Sequence, residues 1–116
     1  MKDIEHHIQK AIANYLDLLG LCYFAVPNGG QRHVRVAAKL KAEGVKAGVP
    51  DIAIVHEGKY YGLEVKKPKT DKSPKGRLSD SQKIMIPKLE AAGAQVGVVY
   101  GMDDVTLQLR KWGMIR

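Results

Sequence analysis

Between residues 51 and 66 lie two strand-length runs rich in β-branched and aromatic residues, Asp-Ile-Ala-Ile-Val and Lys-Tyr-Tyr-Gly-Leu-Glu-Val-Lys, parted only by His-Glu-Gly. Runs this close, joined by a glycine-bearing turn, read as an antiparallel hairpin. With the turn centred on Glu57-Gly58, as a two- or four-residue loop, paired positions sum to 115 and Asp51 stands opposite Glu64. Lys66 then shares their face. A three-residue loop would instead put the two acids on opposite faces.

Directly opposed Cβ atoms lie about 4.5–5.5 Å apart, so the two carboxylates can converge on one point. At ~5 Å and an effective dielectric of ~20 they repel by roughly 3 kcal/mol, which a divalent cation turns into attraction. A hard, oxygen-liganded metal such as Mg²⁺ or Mn²⁺ suits such a pair. The nearby Lys66 could orient or deprotonate a metal-bound water, or stabilise charge on a phosphate. The same residues also fit a plainer pattern. Asp51 opens a strand after Pro50, and Glu64 and Lys66 form a weak solvent-facing pair.

The 116 residues suggest one domain spanning 1–116, near the size at which a dimer interface helps stability. A composition of 45% hydrophobic and 27% charged residues is that of a globular chain. No apolar run approaches the roughly 18 residues of a membrane span. Met1-Lys2-Asp3-Ile4-Glu5 lacks the apolar core of a signal peptide, so a cytoplasmic, non-secreted protein without membrane contact is expected. The single Cys22, in the apolar run from Leu21 to Val26, reads as a buried small hydrophobe. His6 and His7 are adjacent on a helix, and His33 and His56 have no partner at ligand spacing, which argues against zinc.

Nineteen Lys and Arg against twelve Asp and Glu leave a net charge of +7. Six of the twelve positions from Lys66 to Arg77 are basic, and this run leaves directly from the acidic pair. A polyanionic partner such as a nucleic acid fits, because each neutralised phosphate releases counterions. A loop that only aids solubility has the same composition.

The remaining pattern is that of a compact α/β unit. Ile4, Ile8, Ile12, Tyr15, Leu16 and Leu19 recur at helical spacing from about Asp3 to Leu19, with Gly20 as a stop. A strand at 21–26 leads into the turn Pro27-Asn28-Gly29-Gly30, and a second helix runs from about His33 to Glu43. Ser79-Asp80-Ser81-Gln82 has the form of a capping box, opening a helix that ends at Gly93. Pro87 predicts a kink in that helix or a later start. Gln95 to Tyr100 is a strand. Val105, Leu107 and Leu109 alternate like a strand, whereas Val105, Leu109 and Trp112 fit one helical face after an Asp103 cap, and the helix is favoured.

Glu5 in the first helix, Asn28-Gly29-Gly30, Gly48-Val49-Pro50-Asp51, Glu64-Val65-Lys66 and Gln82 occur in the order seen in the virus-type replication-repair nuclease (VRR-NUC) family, a branch of the PD-(D/E)xK nucleases. The chain resembles that family over nearly its whole length. The resemblance implies a restriction-endonuclease-like α/β core, a mixed sheet with a catalytic hairpin flanked by helices. It implies a Mg²⁺- or Mn²⁺-dependent deoxyribonuclease with no small-molecule cofactor, located in host cytoplasm if the chain is viral. Stand-alone members of this size are associated with homodimers acting on branched DNA such as four-way (Holliday) junctions, in replication, recombination or repair. Asp51 and Glu64 resemble the family's metal ligands, with the carbonyl of Val65. Lys66 resembles the lysine beside the attacking water, and Glu5 the helix-1 acid that completes the site as a ligand or through a metal-bound water. Gln82 matches a site residue, and its place in the capping box accounts for it equally well.

Asn28, Gly29 and Gly30 fit either a plain turn or glycine amides approaching the DNA backbone, with Arg32 and Arg35 beside them. Lys67, Lys69, Lys72, Lys75 and Arg77 fit phosphate contacts, in a loop expected to be mobile until DNA binds. The C-terminal run with Trp112, Met114 and Ile115 offers apolar surface to a second copy, or closes the chain's own core. The alternative to a nuclease is a non-catalytic DNA-binding or interaction subunit, which would have no need of Asp51 opposite Glu64.

Overall fold

In a computed structural model, which describes residues 2–27 and 34–116, the elements run α1 (Lys2–Leu19), β1 (Cys22–Ala25), α2 (Val34–Ala42), β2 (Ile52–His56), β3 (Lys59–Val65), α3 (Asp80–Ala91), β4 (Gln95–Val99) and α4 (Met102–Lys111). The β2–β3 hairpin closes through a two-residue turn. Glu57 and Gly58 both adopt positive φ, 49° and 80°, the mirror-image turn geometry that matches the twist of the flanking strands. Pairing runs from Ile52 with Leu63 to His56 with Lys59, the register expected from the sequence. β1 adds antiparallel to β2, and β4 adds parallel to β3 after the α3 crossover, giving a mixed sheet in the order β1-β2-β3-β4.

Strand alternation divides the sheet into two unlike faces. Ile52, Ile54, Tyr61, Leu63, Val65 and Val99 form one core with Ile12 and Leu16 of α1 and with Val105 and Leu109 of α4. Each fully buried Leu or Ile in it is worth about 1.5–3 kcal/mol. Trp112 closes this core, its ring 4.9 Å from that of Tyr61, and Met114 and Ile115 pack on it too. The C-terminal apolar run is thus packed, partly buried, against the chain's own core.

The other face carries Glu64, Ala53 and Val55, and it is covered unevenly. Cys22 pairs with Val55 along it and is exposed, as are Phe24 and Val55. The expectation of a buried Cys22 therefore fails. The run from Leu21 to Val26 is apolar enough for an interior strand but forms an edge with one side open. No residue of α2 is buried either.

One helix start keeps the capping-box reading and one departs from the sequence reading. α3 begins at the Ser79 cap in spite of Pro87, because Pro87 and Lys83 both lie on the exposed side, where the carbonyl left without a partner can be hydrated. α4 is capped by Gly101 instead of Asp103, two residues earlier. Asp103 and Asp104 fall in its first turn, favourable to the helix dipole, and Asp104 Oδ2 accepts the Tyr100 N–H at 2.8 Å. Among the described residues no helix is long and apolar enough to cross a membrane.

Candidate active site

Asp51 immediately precedes β2, and its Oδ2 accepts the Val65 N–H at 2.8 Å, carrying the carboxylate across to the end of β3. Its own carbonyl accepts the Val26 N–H at 2.8 Å, continuing the β1–β2 ladder past the strand ends. Glu64, only 1% exposed, lies on the same face and has two differently placed oxygens. Oε2 accepts a hydrogen bond from Gln82 Nε2 at 2.9 Å and stands 3.8 Å from Lys66 Nζ, whereas Oε1 is buried with no partner. Burial pushes the Glu64 carboxyl up to about 9, helped by proton sharing with Asp51 and by the negative charges of Asp51 and Glu5, with Lys66 acting in the opposite direction. Near neutral pH the pair therefore holds a proton in the place where a cation would otherwise balance its charge.

Gln82 satisfies both of the roles open to it. Its N–H donates to Ser79 Oγ at 3.2 Å, and its Oε1 accepts the Ser79 N–H at 2.7 Å, completing the capping box. Because the Ser79 N–H can only donate, the amide oxygen must face it, and the NH₂ is left for Glu64. One rotamer thus caps the helix and fixes the buried acid.

Glu5 reaches the same cleft from α1, its Oε2 accepting the Lys67 N–H at 3.2 Å. The cleft, of about 260 Å³, is lined by Glu5, Asp51, Glu64, Lys66, Ser81 and Gln82 among others. Among the described residues no three acids, histidines or cysteines draw together as a metal cluster, though Glu5 lines the same cleft as the Asp51–Glu64 pair.

Two glycines make this convergence possible: Gly48, which opens the Gly48-Val49-Pro50-Asp51 motif, and Gly62, which the sequence reading did not single out. At Gly48 φ is +86°, and a Cβ would run into the Ser81 carbonyl and lie 2.8 Å from the Gln82 nitrogen. The backbone leading into Pro50-Asp51 therefore rests directly on the first turn of α3. At Gly62 a Cβ would collide with the Pro50 ring. The sequence signal was present, a Gly two residues before Pro-Asp and a Gly inside a strand, but its cause lies in contacts distant along the chain.

The sequence model of the VRR-NUC domain matches residues 5–103. The chain belongs to the VRR-NUC domain family. Among solved structures, a VRR_NUC domain protein superposes on this one with a TM-score of 0.68 at 23% sequence identity, over 93% of this chain and 86% of that one. At that identity the likeness speaks for the fold, a mixed sheet with flanking helices. Comparison with curated proteins gives no match. VRR-NUC domains are nuclease-type DNA-processing domains, and the acid pair sits inside the matched segment of this one.

The basic residues around this VRR-NUC domain's cleft divide by what their charges do. Lys69, Lys72, Arg77 and, on α2, Arg35 are exposed. Lys75 is exposed and lies over the Tyr100 ring, 5.0 Å from its centroid. Lys67, expected to contact phosphate, places its ammonium on Ser73 Oγ at 2.9 Å and on the Pro74 carbonyl. Asn28, Gly29, Gly30 and Arg32 lie outside the described residues.

Proposed function

We propose that this VRR-NUC domain, as a single domain, is a Mg²⁺- or Mn²⁺-dependent DNA endonuclease, structure-selective for branched DNA such as four-way junctions and acting as a homodimer in replication, recombination or repair. The observation that carries the reading is the buried, partnerless Glu64 Oε1 beside Asp51. Once the pair loses its proton, a buried carboxylate oxygen without a donor is costly, and an oxygen-liganded cation taking the proton's place removes that cost. Asp51, Glu64 and the carbonyl of Val65 would hold the metal, with Glu5 behind them. Bound there, a divalent cation supplies a water of lowered pKa and offsets charge on the phosphate.

The chain's own residues supply the rest. Gln82 holds Glu64 in one orientation, and the Val65 N–H does the same for Asp51. Lys66, mostly buried beside Glu64, presents an ammonium that orients the attacking water or stabilises the phosphate oxygens as charge develops. The charge of +7 supports a nucleic-acid substrate. Exposed Phe24, Val34, Val36 and Val55 supply the apolar surface that a two-fold partner would cover.

The test is a panel of labelled four-way, flap, nicked and duplex DNAs incubated with pure protein in Mg²⁺, Mn²⁺ or chelator. Metal-dependent cutting with a preference for junctions is the expected result. Retained DNA binding without cutting in any metal would leave the binding-subunit alternative.

A further inference from the structure

We infer that Lys67 is a positioning residue, a clasp that holds the basic loop 68–77 folded back against Lys66 before any DNA arrives. The inference rests on the nuclease reading for its purpose but not for its geometry. Every polar group of Lys67 is engaged within the chain. Its N–H donates to Glu5 Oε2 at 3.2 Å, its carbonyl accepts the Gly76 N–H at 2.9 Å, and its ammonium donates to Ser73 Oγ and the Pro74 carbonyl. The loop is therefore joined at both ends to one residue, and that residue is bonded to the acid of α1.

The interior of the loop is built around the same point. Thr70 N–H donates to the Ser73 carbonyl at 2.9 Å, and Thr70 Oγ1 accepts N–H groups from Lys72 at 3.3 Å and Ser73 at 3.1 Å. This small turn presents Ser73 to the Lys67 ammonium. On the return limb, Gly76 packs so closely that a Cβ there would lie 3.3 Å from Lys66 Cβ, and the Lys66 side chain is left only 13% exposed. The loop has almost no apolar content with which to offset the entropy of ordering it, so its hydrogen bonds and the Lys75–Tyr100 contact must do so. Exposed Lys69, Lys72 and Lys75 are then presented to phosphate from a fixed frame, and DNA binding bears little of the ordering cost.

A clasp and a phosphate contact make different predictions for Lys67→Met. Trypsin does not cut before proline, so losing Lys67 leaves the set of cleavable bonds in the loop unchanged. With a clasp, cleavage after Lys69, Lys72 and Lys75 in DNA-free protein should accelerate by roughly tenfold, because local opening becomes easier. KM for DNA should rise by a similar factor with kcat changed less than about threefold, since the loop positions substrate and the acids are untouched. Ser73→Ala should loosen the loop in the same direction, and the double variant should be less than additive. Unchanged trypsin protection in Lys67→Met, with the salt dependence of log K shallower by about 0.9, would identify an ordinary phosphate contact and overturn the inference. Should Lys67→Met fail to fold, protection in Ser73→Ala decides in the same way. Because proteolysis is read without DNA or metal, its result stands apart from whether the protein cuts DNA.

Discussion

The two sides of the β1–β2–β3 sheet edge nearest the cleft are built on opposite principles. At the β3–α3 end Asp51 Oδ2 and Glu64 Oε2 have named partners, whereas Glu64 Oε1, which lies in a residue lining the cleft, is buried without one. At the β1–α2 flank, Phe24 is 53% exposed, Val34 80% and Val36 48%, and a groove of about 380 Å³ between α2 and the segment 45–47 is lined mainly by Pro27, Ala37, Leu40 and Val45. One region gives up stability to hold charges out of water. The other leaves ordinary hydrophobic burial undone. The contrast teaches that the core against α1 and α4 carries the fold, while both regions on the far face are kept for something that is not folding.

The sharpest way to break the contrast is at its charged end. Asp51→Asn or Glu64→Gln should abolish cleavage while DNA binding survives or tightens, since each removes a proposed metal ligand and a negative charge from the proposed phosphate site. A gel assay of cutting and binding on one labelled junction checks both halves, and near-wild-type cutting in either variant would remove the proposed site. Lys66→Met should be milder, lowering turnover by roughly 10²–10³ with metal affinity little changed. Single-turnover rates across a metal titration separate those two quantities.

The same end should reveal itself in stability. The folded Glu64 carboxyl titrates at about 9, whereas in an unfolded chain it titrates near the usual carboxylate value of ~4.3. Between those values the folded state keeps a proton that the unfolded state has lost. The stability this group contributes is thus fully present below about pH 4.3 and is lost as pH rises toward 9, by at most ~1.4 kcal/mol per unit. In chelator, Tm should fall from pH 5 to pH 8, and Glu64→Gln should flatten that slope. Added divalent metal should restore Tm most at high pH, where the proton leaves easily. Calorimetry at four pH values is enough, and a Tm that climbed with pH would contradict the assignment.

Gly48→Ala tests how the cleft is held together. It places a methyl against the Ser81 carbonyl at a φ of +86°, and a loss of roughly 1–3 kcal/mol in a urea titration is expected, with cutting reduced through the displaced Gln82. The smallest effect belongs to the apolar flank. Phe24→Ser or Val36→Ser should change the stability of an isolated chain by no more than about 0.5 kcal/mol. Light scattering should nonetheless show the mass of two chains falling to that of one. A wild-type mass of one chain at micromolar concentration in active protein would leave that flank without its proposed partner.

Much of this was legible in the sequence for local reasons. The hairpin register follows from two strand runs and the Glu57-Gly58 turn, and the α3 start follows from Ser79 and Gln82 three residues apart. What escaped depends on contacts between distant segments. The two explanations of Gln82 looked like rivals until the helix start was seen to face Glu64. Cys22 looked interior because a strand at a sheet edge has the same apolar composition as one in the middle. Trp112 could not be assigned to the chain's own core without knowing that Tyr61 lies beneath it, and strand alternation placed the Lys67 backbone but not its ammonium.

The double duty of Gln82 also orders events during synthesis. The hairpin bearing Asp51 and Glu64 leaves the ribosome before Ser79 and Gln82 do, and the first turn of α3 cannot close until both have emerged. Until then Glu64 lacks the amide that orients it. A half-made chain thus carries the two acids but not their frame until the helix that holds Glu64 has wound.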